Sequence, residues 1–89
     1  MDEHDLQRAV GRNIRRLRTA TGLSQEMFAE SLGYQRAYIA QVERGERNLT
    51  LRTVVRLANQ LQVHPLALLA DPEPGADTTP PRGRPRKRA

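Results

Sequence analysis

Arg36, Ala37, Gln41 and Arg44 fall close together in a chain that has no cysteine and two histidines. Arginine presents a rigid fork of N–H donors, which matches the O6 and N7 acceptors of guanine in two parallel bonds. A glutamine amide pairs in the same two-point way with adenine, and an alanine methyl allows close approach to the methyl of thymine. These residue types suit the reading of base edges better than catalysis. No thiolate is available as a nucleophile or as a zinc ligand, and His4 and His64 are far apart in the chain. No carboxylate cluster has metal-ligand spacing. The expectation is therefore a binding module with no enzymatic role, no metal, no cofactor and no small-molecule ligand.

For such side chains to act together they must share one exposed face. With Arg36 as origin and about 100° per residue, Arg36, Ala37, Ala40, Gln41 and Arg44 fill an arc from about 0° to 140°. Ile39 and Val42 fall near 300° and 240°, on the opposite side. A helix from about Gln35 to Arg44, ended by Gly45, thus turns its apolar pair inward and its flat polar groups outward. The segment before it supplies the partner: a helix over 24–32 with Ser24 as N-cap, expected to bury Met27, Phe28 and Leu32 and to stop at Gly33. Ala29, Gly33, Ile39 and Val42 provide the close approach, the turn and the apolar lock that two short helices joined at a tight turn require.

The remaining elements complete the bundle. Leu6, Val10, Ile14 and Leu17 recur at helical spacing, with Asp2, Glu3 and Asp5 leading and Arg15, Arg16 and Arg18 finishing, as the helix dipole favours. Gly22 ends that helix. Thr50 is the N-cap of a fourth helix carrying Leu51, Val54, Val55, Ala58 and Leu61. Pro65 suits the first position of a short fifth helix over 65–69, with His64 as its N-cap or as a surface residue. Nothing alternates with period two, so the fold class is all-α, with five helices in residues 1–70.

The stretch "GRNIRRLRTATGLSQEMFAESLGYQRAYIAQVERGERNLTLRTVVRLANQL" resembles the lambda-repressor-like, Xre-type helix-turn-helix family, and "GLSQ", "LG", "YIAQVERG" and "LTLRTVVRLA" stand in the family's order. The resemblance covers most of the foldable chain. It implies a compact five-helix DNA-binding domain whose third helix enters the major groove. It further implies base contacts from Arg36, Ala37 and Gln41, with Tyr38 near a base edge or the backbone. Gln25 stands where the family anchors a phosphate, and Arg44, Arg47 and Asn48 where it clamps a second one. Arg18 and Glu43 occupy positions that pair as a structural ion bridge. Where the family caps the third helix with Ser or Thr this chain has Gln35, a weaker cap, so Gln35 is a further candidate for a phosphate or base contact.

The net charge is +5 and the sequence pI about 11.0, with fourteen Arg against one Lys. The excess of Arg fits phosphate and base recognition, although a GC-rich genome would also write Arg for Lys. The acidic start "MDEHDLQRAV" does not read as a secretion signal, and the apolar run 66–70 is too short to cross a bilayer. The expected setting is cytoplasmic, without a membrane partner.

From Asp71 the composition changes to "DPEPGADTTPPRGRPRKRA", which lacks apolar periodicity and is expected to be disordered when free. Within it, 81–88 resembles an AT-hook. Gly83 would let the backbone lie on the floor of the minor groove, Pro81 and Pro85 would keep it extended, and Arg82 and Arg84 would spread along A·T edges. Arg86, Lys87 and Arg88 would take phosphates; a nonspecific basic tail is the alternative. The spacer 71–81 spans about 18 Å as a coil, enough to reach a flanking groove.

One helix in one groove reads few base pairs, so a homodimer on a pseudopalindromic operator is expected, with half-sites about 34 Å apart. Leu61, Val63, Leu66 and Leu69 are the expected dimer surface. The functional expectation is a sequence-specific transcription regulator acting as a repressor. An antitoxin or a restriction-modification controller of its own operon would look the same, and a protein- or RNA-binding adaptor is the rival from another class.

Overall fold

The computed structural model of the protein describes residues 1–70, and everything structural below concerns them. The tail residues Arg82, Gly83, Arg84 and Pro85 lie outside the described residues. The elements are α1 (Glu3–Ala20), α2 (Gln25–Leu32), α3 (Arg36–Glu43), α4 (Leu51–Leu61) and α5 (Pro65–Leu69), with no strand among the described residues.

Local chemistry sets the boundaries. Asp2 begins α1 with a reciprocal capping box: its carboxylate accepts from the Asp5 N–H at 2.9 Å, and the Asp5 carboxylate accepts from the Asp2 N–H at 3.0 Å. That second bond holds the Asp5 carboxyl below its usual range. Ser24 caps α2, Thr50 caps α4 and the His64 ring nitrogen Nδ1 caps α5, each by accepting a backbone N–H two or three residues on. Gln35 at the start of α3 makes no side-chain cap bond. The ends of α1, α2 and α3 all turn through a left-handed glycine, at Gly22, Gly33 and Gly45, whereas Gln62 takes that conformation after α4.

The core is one cluster in which Ile14, Phe28, Ile39, Leu57 and Leu68 are fully buried and Val10, Ala29, Val42, Val54, Ala58 and Leu61 nearly so. Each helix contributes a stripe too short to be stable alone, and burial of the stripes against one another is what holds the helices. Three expectations from periodicity are corrected here. Met27 is 52% exposed and Leu51 78% exposed, each in the overhanging first turn of its helix, and Val55 lies one position off the buried stripe formed by Val54, Leu57, Ala58 and Leu61. Leu57 and Leu68, which the sequence reading passed over, fill the centre instead.

Two contacts position α3 and α5 against α1. At Gly11 a Cβ atom would sit 2.5 Å from the Val42 carbonyl oxygen and 2.6 Å from that of Glu43, so only glycine lets the backbones of α1 and α3 meet this closely. Asn13, buried in α1, donates its amide to the carbonyls of Leu68 at 2.9 Å and Ala70 at 2.7 Å. Those are carbonyls that the short α5 leaves without helical partners. This seats α5 over the end of α4, and Leu61 is thereby only 6% exposed. Its assignment to a dimer surface is corrected: it belongs to the core of a single chain.

Candidate nucleic-acid interface

α3 is held from behind and bare in front. Ile39 and Val42 are buried, while Gln35, Arg36 and Ala37 are exposed at its amino end and Arg44 at its carboxyl end. Tyr38, Ala40 and Gln41 are half-buried along the same outer side. The helix proper stops at Glu43, with Arg44 as C-cap rather than as its last turn.

The carboxyl end of α3 is fixed by a buried ion pair. Arg18 Nε donates to Glu43 Oε2 at 2.6 Å and Arg18 Nη2 to Glu43 Oε1 at 3.1 Å, a two-point pair between α1 and α3. Arg18 Nη1 also donates to the Leu23 carbonyl at 2.7 Å, so its charge is shared with the turn before α2. Removing two charges from water costs about as much as their attraction returns, so the pair specifies an arrangement more than it adds stability. Gln25, the first residue of α2, donates Nε2 to Glu43 Oε1 at 3.0 Å. One amide hydrogen is used in that bond and the second remains for an outside acceptor. α1, α2 and α3 therefore converge on one carboxylate.

In front of this network lies an open groove of about 560 Å³, lined among others by Arg15, Ser24, Gln25, Arg36 and Arg44. The exposed carboxylate of Glu26 lines the groove too, but three arginines with a helix amino end outweigh it and suit an anion such as a phosphate. Arg15 was not among the sequence-derived candidates; its signal was its position one turn before Arg18 on the exposed side of α1. Arg44 does face this groove, but it is paired in two-point fashion with Glu46, Nε to Oε2 at 3.0 Å and Nη2 to Oε1 at 3.1 Å. The hydrogen bond from Arg44 holds the Glu46 carboxyl below its usual value of 4.5.

Beyond α3 the chain folds back over a small aromatic platform. The rings of Tyr34 and Tyr38 are 4.8 Å apart at 49°. The guanidinium of Arg47 lies 4.9 Å from the Tyr38 centroid and that of Arg56 equally far from that of Tyr34. Arg56 also donates to the Tyr34 hydroxyl and to the Leu32 carbonyl, each at 2.8 Å. Tyr38 is thus engaged on its flanks, and burial, followed by the neighbouring Tyr34, pushes its phenol above the usual 10.0. Tyr34 and Arg56 were not among the sequence-derived site candidates, because they meet only when α4 packs beside the turn after α2. Asn48 is exposed in the same loop as Arg47.

Of the four apolar residues expected on a dimer face, Leu66 is exposed, Val63 and Leu69 are half-buried against the core, and Leu61 is inside. No group of three or more His, Cys, Asp or Glu among the described residues is placed to hold a metal ion. No helix among them is long and apolar enough to cross a membrane.

A helix locked by its apolar side to a preceding helix, bare on its polar side and flanked by a cationic groove, defines a helix-turn-helix DNA-binding domain. The HTH_3 helix-turn-helix family model matches residues 14–68, and the chain belongs to that family of DNA-binding transcription regulators. Control protein C.SmaI of Serratia marcescens is 46% identical over 57 residues, covering 64% of this chain and 68% of that protein. The crystal structure of the hypothetical transcription factor NHTF from Neisseria superposes with a TM-score of 0.73 at 36% identity, covering 81% of this chain and 83% of the other. The restriction-modification controller protein C.AhdI from Aeromonas hydrophila superposes at 0.70 with 41% identity, covering 76% of this chain and 99% of its own.

Proposed function

We propose that the protein represses transcription by binding a pseudopalindromic operator as a homodimer, with α3 in the major groove of each half-site. The observation that carries this reading is the division of α3 into a buried apolar side, Ile39 and Val42, and an exposed side headed by Arg36 and Ala37. In this reading Gln35, Arg36, Ala37 and Gln41 meet base edges, and Tyr38 contributes from its platform. Gln25, Arg44, Arg47 and Asn48 hold phosphates on either side. The names of C.SmaI and C.AhdI favour a controller of a restriction-modification operon over the other kinds of regulator.

Dimerisation would use Leu66 with Val63 and Leu69 at the rim. Sedimentation equilibrium should show a dimer that Leu66→Glu dissociates; a wild-type monomer at tens of micromolar without DNA would sink it. Residues 82–85 would lie in a flanking A·T-rich minor groove, and deleting 82–89 should weaken binding most where the flanks are A·T-rich.

Selection of binding sites from random DNA tests the central reading. A two-fold-symmetric site should emerge, and Arg36→Ala should weaken binding to it by about 1–3 kcal/mol while sparing nonspecific DNA. Failure to enrich any sequence would favour an adaptor that binds protein or RNA.

A further inference from the structure

We propose that Arg56 of α4, with the Tyr34 hydroxyl, holds a DNA phosphate on the edge of α3 opposite the cationic groove, so that one domain grips both strands bordering the major groove. The inference rests on the placement of α3 in the major groove and adds to it a contact from α4. Two edges follow from helix geometry. With Arg36 again at 0°, Glu43, Arg36, Ala40 and Arg44, which line the cationic groove, run from about 340° to 80°. Gln41 and Tyr38 stand at about 140° and 200°, on the other edge. Arg47 reaches that second edge: its guanidinium lies 4.9 Å from the Tyr38 centroid, and Nη1 lies 3.2 Å from Gln41 Oε1.

From Tyr38 the edge continues to α4. Tyr34 lies beside it, with 4.8 Å between the ring centroids, and the Arg56 guanidinium is 4.9 Å from the Tyr34 centroid. Arg56 is fixed there at two points, since Nη1 donates to the Tyr34 hydroxyl and Nη2 to the Leu32 carbonyl, each at 2.8 Å. That carbonyl belongs to the last residue of α2 and lacks a helical partner, so the bond ties α4 to the turn that leads into α3. Burial and then Tyr34 raise the Tyr38 phenol, while the charges of Arg47 and Arg56 pull against them; two cations act on this one ring.

The groups that hold Arg47 and Arg56 are neutral. Among the described residues the ion pairs join Arg8 to Asp5, Arg18 to Glu43 and Arg44 to Glu46, and no carboxylate pairs with either arginine of this edge. A carboxylate offsets the charge it holds, whereas a hydroxyl, a carbonyl or a ring leaves it for an outside anion. Arg56 is exposed, and of its five N–H donors two are used and three remain. The Tyr34 hydroxyl accepts from Arg56, so its own proton is left to donate. Arginine N–H and tyrosine O–H groups are both donors that DNA phosphates accept. With Arg15 and Gln25 on one edge of α3 and Arg47 and Arg56 on the other, each edge faces its own strand.

The test places a neutral methylphosphonate at one phosphate at a time, on either strand of the selected operator, and measures binding of the full chain by competition fluorescence anisotropy. Neutralising a held phosphate should weaken the wild type roughly tenfold. Arg56→Gln should be indifferent to one such position and Gln25→Ala to another, and the two should lie on opposite strands of the half-site. Arg56→Gln should also lower the slope of log affinity against log salt by about one counterion per subunit. Arg56→Lys, which keeps the charge, should keep the wild-type slope. If Arg56 only braces the end of α2, Arg56→Gln weakens binding but retains the wild-type slope and the wild-type response to every phosphate, and that result overturns the proposal. Loss of response on the same strand as Gln25→Ala overturns it as well. Should Arg36→Ala alter base discrimination at no position, the major-groove placement itself fails, and this inference with it.

Discussion

Arg18 and Glu43 join α1 to α3 with side chains only 9% and 3% exposed, whereas Arg44 and Glu46, the next pair along the chain, meet at 57% and 52% exposure. Both are two-point arginine–carboxylate pairs of similar length. Burial makes the difference. The inner pair has no water to fall back on, so its geometry is obligatory, and through Gln25 it fixes three helices at once. The outer pair exchanges freely with solvent and ions, so it contributes little to stability and its arginine is available to another anion. The same chemistry anchors α3 on one side and leaves a removable gate on the other.

The comparison breaks most visibly at Glu43. Glu43→Ala leaves Arg18 buried without its partner and should cost about 3–5 kcal/mol in chemical denaturation, close to the whole stability of so small a domain. The double substitution Arg18→Met with Glu43→Leu should recover most of that loss. Its operator binding should stay weak in anisotropy titrations, because Gln25 has lost the carboxylate that orients it. Full recovery of binding would show that the pair merely fills space.

Gly11→Ala attacks the same junction through the backbone. Its methyl would press on the carbonyls of Val42 and Glu43, so a loss of about 1–3 kcal/mol is expected by thermal melting, with displacement of α3. An unchanged melting midpoint would mean that α1 and α3 separate easily.

At the outer pair the prediction is opposite in kind. Glu46→Gln should leave the melting midpoint where it is, strengthen DNA binding and steepen the salt dependence by about one counterion, as Arg44 is released to the backbone. Weaker binding after this substitution would give Glu46 a direct role at the interface.

The smallest effect is the titration of Glu46 itself. Its carboxyl is held below 4.5 in the folded chain by the hydrogen bond from Arg44. A depressed folded value means that the stabilisation is present above the unfolded value and disappears as pH falls through the folded one. A carboxyl-carbon NMR titration should show this midpoint below the usual value and show it rising in Arg44→Ala. Equal midpoints in the two proteins would mean that the pair does not persist in solution.

Much of the architecture was legible because helix punctuation is local. Ser24, Thr50 and Pro65 start helices, and Gly22, Gly33 and Gly45 end them, by chemistry confined to a few residues. Periodicity also placed Ile39 and Val42 inside. It misjudged Met27, Leu51 and Val55, since a stripe on one helix says which residues share a face and not how far the neighbouring helices extend over it. On the outer side of α3, the exposure of Arg36 and Ala37 was legible from their angle on the helix alone. The bond from Arg47 to Gln41 and the position of Arg47 over Tyr38 were not, because they depend on the path of the chain after Gly45.

Sequence alone therefore determined the five helices, their ends and the outward polar side of α3, all consequences of interactions among residues near in the chain. Only the tertiary structure decided which arginines are spent and which are free. Arg44 is lightly held by Glu46, and Arg47 lies over Tyr38 with a bond to Gln41, whereas the pairing of Arg18 with Glu43 was already implied by the family resemblance. An arginine's role depends on burial and on the acceptor that the fold brings to it, and neither is carried by the residue itself.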